Sequence, residues 1–209
     1  MVKCPVCGQT YGVTHSCPGP PAPRSPHAGA WASPGGFAPL HYFRQAIAIA
    51  RLDDDAVMSA SIDARSLAYG ATIWLIGQTL AVGHVIWVSL SRNQPIRWPV
   101  LIIGSVFVIL IDATWVIAQY GICHLLARRL FEARGTFIRI LRPLLLGSIV
   151  GWLLIIPYIG RIAAGLWAIA VMMIVFEDVD DITRIKAFGL SFGVGIVFLV
   201  VANSFLKPG

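Results

Sequence analysis

The sequence predicts an all-α membrane protein: a bundle of five membrane-spanning helices, preceded by a small Cys/His segment and short amphipathic helices. Two observations support this fold class. Hydrophobic residues make up 57% of the 209 residues and charged residues only 12%, a composition far from that of an average soluble domain. In addition, residues 66–206 contain successive apolar blocks, most of them long enough to cross the roughly 30 Å hydrocarbon layer of a bilayer.

Four regions follow one another along the chain. Residues 1–17 form a compact Cys/His segment, and residues 18–39 form a linker rich in Pro, Gly, Ala and Ser that we expect to lack fixed structure. Residues 40–65 contain two short helices, and residues 66–206 form the membrane domain. The first 40 residues contain no apolar core of a cleavable signal peptide, so we expect the first span to act as the insertion signal.

The two helices before the membrane domain are predicted from apolar residues at helical spacing. The predicted stripes are Leu40, Phe43, Ala46, Ile47 and Ala50, and then Val57, Ala60, Ala64 and Leu67. The carboxylates of residues 53–55 are suited to cap the second helix. Two interpretations remain open: both helices pack on the membrane domain from the cytosol, or one lies in the lipid interface with Phe43 as its anchor.

The five spans are expected at about residues 67–90, 100–126, 136–156, 162–176 and 183–206. The first two exceed the membrane thickness at about 1.5 Å per residue. The third contains only a short uninterrupted apolar stretch, so it crosses only if Arg139 and Arg142 extend their side chains to the surface. A re-entrant hairpin made of the third and fourth spans is the alternative, and residues 157–160 are expected to form the turn between them.

The distribution of basic residues predicts the orientation. Lys and Arg number 12 on the side that carries the N-terminus and 4 on the other side. Because cytoplasmic loops carry the excess of positive charge, the N-terminus should face the cytoplasm, in the cell (inner) membrane. Trp87, Trp98 and Tyr158 then lie near the opposite interface. The same rule explains the net charge of +6 without any binding of nucleic acid.

The N-terminal cysteines have the spacing of a zinc knuckle. Cys4 and Cys7 are two residues apart and can hold one tetrahedral metal ion, while His15 and Cys17 provide two further ligands. An odd number of clustered cysteines in a reducing compartment favours metal binding over disulfides. We therefore expect a structural zinc ion here. A degenerate knuckle without metal, or a redox role of the cysteines, remains open.

Asp112 lies near the middle of the second predicted span, where a carboxylate is costly and needs a partner. It lies about 13 residues, or about 19 Å, from the far-side end of its helix. Gln78 in the antiparallel first span has a similar depth, whereas His84 is only about 9 Å deep. We therefore expect Asp112 to pair with Gln78, either as a buried hydrogen bond that fixes the helix register or as part of a proton or cation relay.

Charged residues are also expected at the cytosolic loops. One set is acidic and the other basic, so the two should attract one another or hold a cytosolic partner, unless they only cap a helix and contact water. The residues are Glu177, Asp178, Asp180 and Asp181 in one set, and Arg128, Arg129, Arg134 and Arg139 in the other.

Two glycine pairs, Gly147/Gly151 and Gly189/Gly193, allow close helix packing. The packing is either within one protomer or between copies in a homo-oligomer. The motifs of serine hydrolases, zinc proteases and phosphate-binding loops are absent from the sequence. We therefore expect no enzymatic activity.

Three segments carry a resemblance to a known family: residues 124–137 (His-Leu-Leu-Ala-Arg-Arg-Leu-Phe-Glu-Ala-Arg-Gly-Thr-Phe), residues 153–160 with Trp167 beyond them, and residues 184–188. Together they resemble the Yip (Ypt-interacting protein) family in its prokaryotic branch, over about residues 66–206. The resemblance implies a five-span bundle with a cytosolic N-terminus. Eukaryotic members are membrane adaptors in vesicle traffic that engage small GTPases.

Two departures from the family pattern argue against GTPase binding in this chain. The Asp-Leu-Tyr-Gly-Pro segment of some members is absent, and Phe131-Glu132-Ala133 stands where members often carry glycines. The expected function is therefore a non-enzymatic membrane scaffold or adaptor, with the lipid bilayer and unidentified proteins as its partners. The alternatives are a small transporter or ion-conducting bundle using Asp112, and a zinc- or redox-sensing membrane protein.

Overall fold

The computed structural model of the chain describes residues 2–3, 10–11, 31, 33–92, 95, 97–156 and 159–206. At the N-terminus, strands β1 (Val2–Lys3) and β2 (Thr10–Tyr11) pair in antiparallel fashion, with Val2 opposite Tyr11. The predicted zinc ligands lie outside the described residues, so the zinc site stays a prediction. These ligands are Cys4, Cys7, His15 and Cys17.

From Pro39 onward the described chain is helical. The elements are α1 (Pro39–Ala50), α2 (Asp54–Ile62), α3 (Arg65–Ser91), α4 (Trp98–Phe131), α5 (Phe137–Gly147), a 3-10 helix (Ser148–Ile155), α6 (Ile159–Asp180) and α7 (Arg184–Leu206). Among the described residues, four stretches are long and apolar enough to cross a membrane: Arg65–Ser91, Trp98–Phe131, Phe137–Ile155 and Ile162–Asp180. The helical fold class is confirmed, and the four apolar helices indicate a membrane-embedded protein. The fifth predicted span corresponds to α7 and stays a prediction.

The long helices alternate in direction. Helix α3 runs parallel to α5 and the 3-10 helix, because Gly70 lies against Leu145 and the Trp152 indole donates a hydrogen bond to the Ile73 carbonyl. Helix α7 runs antiparallel to α4, where the Phe198 ring meets Trp115 and the Lys186 ammonium lies 5.2 Å from the Phe131 ring centre. One end of the bundle therefore collects five helix termini, and we call it the basic end. These termini are Arg65, Phe131, Phe137, Asp180 and Arg184.

Helices α5 and α6 form the centre of the bundle, while α3 and α4 present apolar surface outward. Val175 and Phe176 of α6 are fully buried, and Ile140 and Leu144 of α5 are buried beside them. By contrast, Phe107 of α4 is 64% exposed, like most of the apolar residues around it. Such surface is unfavourable in water and suited to contact with lipid.

The third span is a composite element. The 11 residues of α5 rise about 16 Å and the 8 residues of the 3-10 helix about 16 Å more, because a 3-10 helix is extended to about 2.0 Å per residue. The two lengths together match the thickness of the hydrocarbon layer. This geometry favours a full crossing over a re-entrant hairpin. Of the predicted turn at residues 157–160, residues 157 and 158 lie outside the described part, and α6 begins at Ile159.

Helices α1 and α2 pack directly on the membrane helices. Ile49 of α1 and Val171 of α6 both lie against Gly147 of α5, and the Trp167 indole of α6 donates a hydrogen bond to the Ala50 carbonyl. Helices α1 and α2 thus contact the membrane helices, while their position in the cytosol or in the lipid interface stays a prediction. The Phe43 ring lies 6.0 Å from the Trp152 ring, so it contacts the bundle as well.

The buried face of α1 differs from the predicted stripe. The helix buries Tyr42, Gln45, Ala46 and Ile49, whereas Leu40 is 60% exposed. Gln45 is buried because its amide donates to the Ala56 carbonyl of α2. The predicted cap of α2 is confirmed, since Asp53 Oδ1 accepts a hydrogen bond from the Ala56 amide at 3.0 Å.

The last part of the predicted linker is held in place, in contrast to the expectation that it lacks fixed structure. Arg65 Nη1 donates hydrogen bonds to the carbonyls of Pro34 and Gly36, at 2.6 and 3.2 Å. The Ala38 amide donates to the Tyr69 hydroxyl. A Pro/Gly-rich segment has no helical period of its own, but side chains at the start of α3 satisfy its backbone groups.

Candidate functional sites

Asp112 of α4 and Gln78 of α3 form a half-buried hydrogen bond between the two helices. Gln78 Nε2 donates to Asp112 Oδ2 at 2.6 Å. Asp112 lies about 14 residues after the start of α4, and Gln78 about 13 residues before the end of α3, which corresponds to about 20 Å in each helix. The expected pairing of these two side chains is present, while its role stays a prediction.

A cavity of about 340 Å³ opens beside this pair, between α3, α4, the 3-10 helix and α6. Its walls are mainly apolar, with Trp74 and Tyr120 as aromatic residues and Ser148 as a further polar group. The bundle thus contains a cavity that is lined by one carboxylate. Cavities of this kind are typical ligand-binding sites in membrane proteins.

A second buried polar pair lies near the basic end. His124 Nδ1 of α4 lies 3.4 Å from Asp180 Oδ2 of α6, and the Asp180 side chain has no exposed surface. Arg128 interacts favourably with Asp180 from the same helix as His124. Sequence reasoning missed this pair, because Asp180 belongs to a run of acidic residues typical of a loop in water.

The chain between α4 and α5 closes over Asp180. Helix α4 ends at Phe131, and the next residue, Glu132, has a φ of 59° that turns the chain in the left-handed region. Gly135 then lies so close to Asp180 Oδ1 and the Val179 carbonyl that a Cβ atom there would overlap both. His124 and Gly135 belong to the segment that carries the family resemblance, so that segment surrounds a buried carboxylate in this fold.

The acidic set differs from the expected loop. Glu177, Asp178 and Asp180 belong to the last turn of α6, and only Asp181 follows the helix, with a φ of 56°. The physical reason is that Glu177 and Asp180 have partners on neighbouring helices, so the helix continues through them. Glu177 accepts a hydrogen bond from Arg184 Nε at 2.7 Å. Arg128 and Arg129 lie in the last turn of α4, and Arg134 is exposed between α4 and α5.

The start of α2 adds further carboxylates near this acidic set. Burial raises the pKa of Asp54, and the neighbouring carboxylates of Glu177, Asp53 and Asp55 raise it further, whereas Arg184 opposes the rise. In the described part of the chain, no group of three or more His, Cys, Asp or Glu side chains is arranged to hold a metal ion.

Asp63, between α2 and α3, connects the linker to both pre-span helices. Its carboxylate accepts hydrogen bonds from the Tyr42 hydroxyl at 2.6 Å, the Ser33 hydroxyl at 2.9 Å and the Arg65 amide at 3.0 Å. Burial by itself would raise the pKa of Asp63, but these hydrogen bonds outweigh it and hold the pKa below its usual value. The Tyr42 ring stacks on Tyr69 at 4.0 Å, which fixes the hydroxyl toward Asp63.

Arg142 binds the end of α2, while its extension to the membrane surface stays a prediction. Its Nη1 donates hydrogen bonds to the carbonyls of Ser61 and Ile62, at 2.9 and 3.0 Å. These carbonyls belong to the end of α2, where a helix leaves its last carbonyls without partners. Arg142 therefore caps α2 and ties it to α5.

The two glycine pairs behave differently. Gly147 is packed against Val171 and Ile49, as expected for close approach within the protomer, whereas Gly151 has no heavy atom within 4 Å of its Cβ position. Gly189 and Gly193 of α7 have no heavy atom within 4 Å of a Cβ position, and they line an apolar groove of about 500 Å³ between α4 and α7. Packing within the protomer therefore does not explain the second pair.

Comparison with known proteins gives no match: no protein-family model, no curated protein and no solved structure is similar to the chain. The resemblance to the Yip family therefore depends on the motifs of the sequence.

Proposed function

We propose that the chain is a non-enzymatic scaffold or adaptor of the cell (inner) membrane, with five spans and a cytoplasmic N-terminus. The observation that carries this proposal is the attachment of α1 and α2 to the membrane helices. Arg142 of α5 binds the end of α2, and Trp167 of α6 binds the end of α1. A protein held by the N-terminal region is thereby kept at a fixed position relative to the bundle.

The arrangement of the helices supports the fifth span and the orientation. Helix α7 has 23 residues and runs antiparallel to α4, with Trp115 and Phe198 in contact. Its length at about 1.5 Å per residue suits a full crossing. The basic end carries most of the arginines of the described residues, which supports its position in the cytoplasm.

The resemblance to the Yip family supports the same proposal. His124 and Gly135, which carry part of the resemblance, surround the buried Asp180. We interpret this part of the motif as a structural device and infer no binding of GTPases from it. The N-terminal Cys/His segment, with structural zinc held by Cys4, Cys7, His15 and Cys17, is the expected contact for a protein partner.

Photo-crosslinking in native membranes tests the proposal. A photoreactive residue in place of the exposed Arg44 of α1 should give defined adducts with a protein partner, and Arg142→Ala should remove them because it releases α2. The matched control is the same photoreactive residue in place of Phe107 on the outer face of α4. Equal protein adducts at both positions, or substrate turnover by the purified protein that is lost in Asp112→Asn, would contradict the scaffold function.

Transport is a second candidate, which the cavity beside Asp112 favours. Flux of cations into liposomes should then be above background for the wild type and lost in Asp112→Ala. Background flux for both proteins would remove this candidate. The third candidate, a zinc or redox sensor, requires bound zinc in the reduced protein and its loss in Cys4→Ser.

A further inference from the structure

We propose that the cavity beside Asp112 binds a hydrophobic organic cation, meaning a protonated amine or quaternary ammonium group attached to an apolar body. This ligand class goes beyond the scaffold function and specifies what the transport candidate would bind, although binding itself requires no transport. The cavity of about 340 Å³ is lined mainly by residues of α3, α4, the 3-10 helix and α6. Three of its properties lead to this ligand class: its charge, its aromatic walls and its size.

Among the described residues that line the cavity, no positively charged side chain balances the carboxylate of Asp112. Asp112 is the only carboxylate among the described residues that line it, and none of those residues is basic. Gln78 donates a hydrogen bond to one carboxylate oxygen but brings no positive charge. A carboxylate at this depth is strongly unfavourable without a counter-charge or a proton. A cation in the adjacent space supplies the missing charge.

The aromatic walls favour an organic cation over a metal ion. Trp74 and Tyr120 line the same cavity as Asp112 and offer ring faces to an ammonium group. A divalent metal ion needs about six oxygen ligands. The polar side chains in this lining are few, with Gln78 and Ser148 beside Asp112, and the remaining wall is largely apolar. An apolar body next to an ammonium group matches this distribution.

The size of the cavity is set partly by glycines. A volume of about 340 Å³ lies at the lower end of the range for ligand cavities, about 300–1,000 Å³. Gly165 of α6 has no heavy atom within 4 Å of its Cβ position, so the space beside it is open. Because Gly165 lines the cavity, a larger side chain there should reduce the volume while Asp112 keeps its charge. The charge and the space can therefore be removed separately.

Equilibrium binding to the purified full chain in lipid nanodiscs tests the proposal, with radiolabelled benzyltrimethylammonium as the probe. We expect saturable binding of one probe per chain. Asp112→Asn should weaken it at least tenfold because the charge is lost, while Asp112→Glu should retain it. Gly165→Leu should also weaken it at least tenfold by filling the cavity. Gly189→Leu is the matched control, because Gly189 is equally open but lines the groove between α4 and α7.

Neopentylbenzene, which has the same shape without the charge, should bind at least tenfold more weakly than the cation. The proposal is overturned if the wild type shows no saturable binding, or if Asp112→Asn or Gly165→Leu, shown to be folded by their melting temperatures, binds like the wild type. It is also overturned if sodium at the same concentration displaces the probe completely. None of these results bears on crosslinking at α1, so failure of this inference and failure of the scaffold function can be told apart.

Discussion

The imidazole Nδ1 of His124 lies 3.4 Å from the carboxylate Oδ2 of Asp180, in a contact that joins the interior of α4 to the end of α6. Asp180 is fully buried, and His124 is 8% exposed. A buried carboxylate that loses its partner is left with an unsatisfied group. The pair therefore connects α4 and α6, two membrane helices that are distant in the sequence, near the basic end of the bundle.

We expect His124→Ala to lower the free energy of unfolding by about 2 kcal/mol, the usual cost of an unpaired buried polar group. Unfolding of the purified protein in mixed micelles, followed against SDS concentration, measures the change. Asp180→Ala should have an effect of the same sign, and the double variant should lose less than both single variants together. Arg129→Ala, at an exposed position of the same helix, should have little effect. Strict additivity would contradict a direct interaction between His124 and Asp180.

Gly135 closes this site from the loop side. We expect Gly135→Ala to lower the free energy of unfolding by about 1–3 kcal/mol, because the added methyl group overlaps Asp180 Oδ1 and the Val179 carbonyl and forces the loop to move. Gly121→Ala is the matched control, since Gly121 of α4 has open space around its Cβ position. That substitution should be neutral or stabilising by up to about 1 kcal/mol. Similar effects of the two substitutions would contradict the close approach at Gly135.

We expect the attachment of α2 to α5 to depend on Arg142. We expect Arg142→Met, which keeps the apolar stem, to lower the free energy of unfolding by about 2 kcal/mol through loss of its hydrogen bonds to the carbonyls of Ser61 and Ile62. Hydrogen–deuterium exchange should become faster in α2 and remain unchanged in α4. Arg134→Met, at an exposed position, serves as the control. Unchanged exchange in α2 would show that its apolar face alone holds it in place.

The Gln78–Asp112 pair could be predicted from the sequence because helix geometry fixes depth. Helices α3 and α4 are joined by a short connection, so residues at equal distances from it reach equal depth in the membrane. Thr79 lies at the same level, but its hydroxyl donates a hydrogen bond to the Leu75 carbonyl of its own helix. Depth also excludes His84 as the partner of Asp112, because His84 lies nearer the end of α3.

The buried face of α1 could not be predicted in the same way. Apolar spacing selected Leu40 and Phe43, which are partly exposed, whereas the polar Gln45 is buried. Hydrophobicity distinguishes inside from outside when water is the solvent, but next to membrane helices it does not distinguish a packed face from a lipid-facing one. Which face packs was decided by specific contacts, such as the hydrogen bond from Gln45 to Ala56.

The burial of Asp180 also could not be predicted from the sequence. Four acidic residues within five positions indicate a solvated loop, yet α6 continues through three of them. Burial of Asp180 requires that the chain around Gly135 fold across the end of α6. This is a tertiary contact between segments about 45 residues apart, and no local pattern in either segment encodes it.

The attachment of the linker and α1 should weaken as the pH falls. Asp63 has a pKa below its usual value in the folded chain, so its carboxylate stabilises the fold above the unfolded-state pKa of about 3.9. This contribution is lost as the pH falls through the folded-state pKa. Between pH 6 and pH 3 we therefore expect hydrogen–deuterium exchange in α1, corrected for intrinsic rates, to become faster. In Asp63→Asn the exchange should already be faster at pH 6 and change less with pH.

Tyr42→Phe provides a graded test of the same carboxylate, because it removes the shortest of the three hydrogen bonds to Asp63 and keeps the ring stacked on Tyr69. Loss of one bond should raise the pKa of Asp63 and move the loss of protection in α1 to higher pH. The control is Asp181→Asn, which removes one exposed carboxylate far from the linker and should leave the pH profile of α1 unchanged. If Asp63→Asn retained the wild-type profile, another acidic group would have to hold α1 in place.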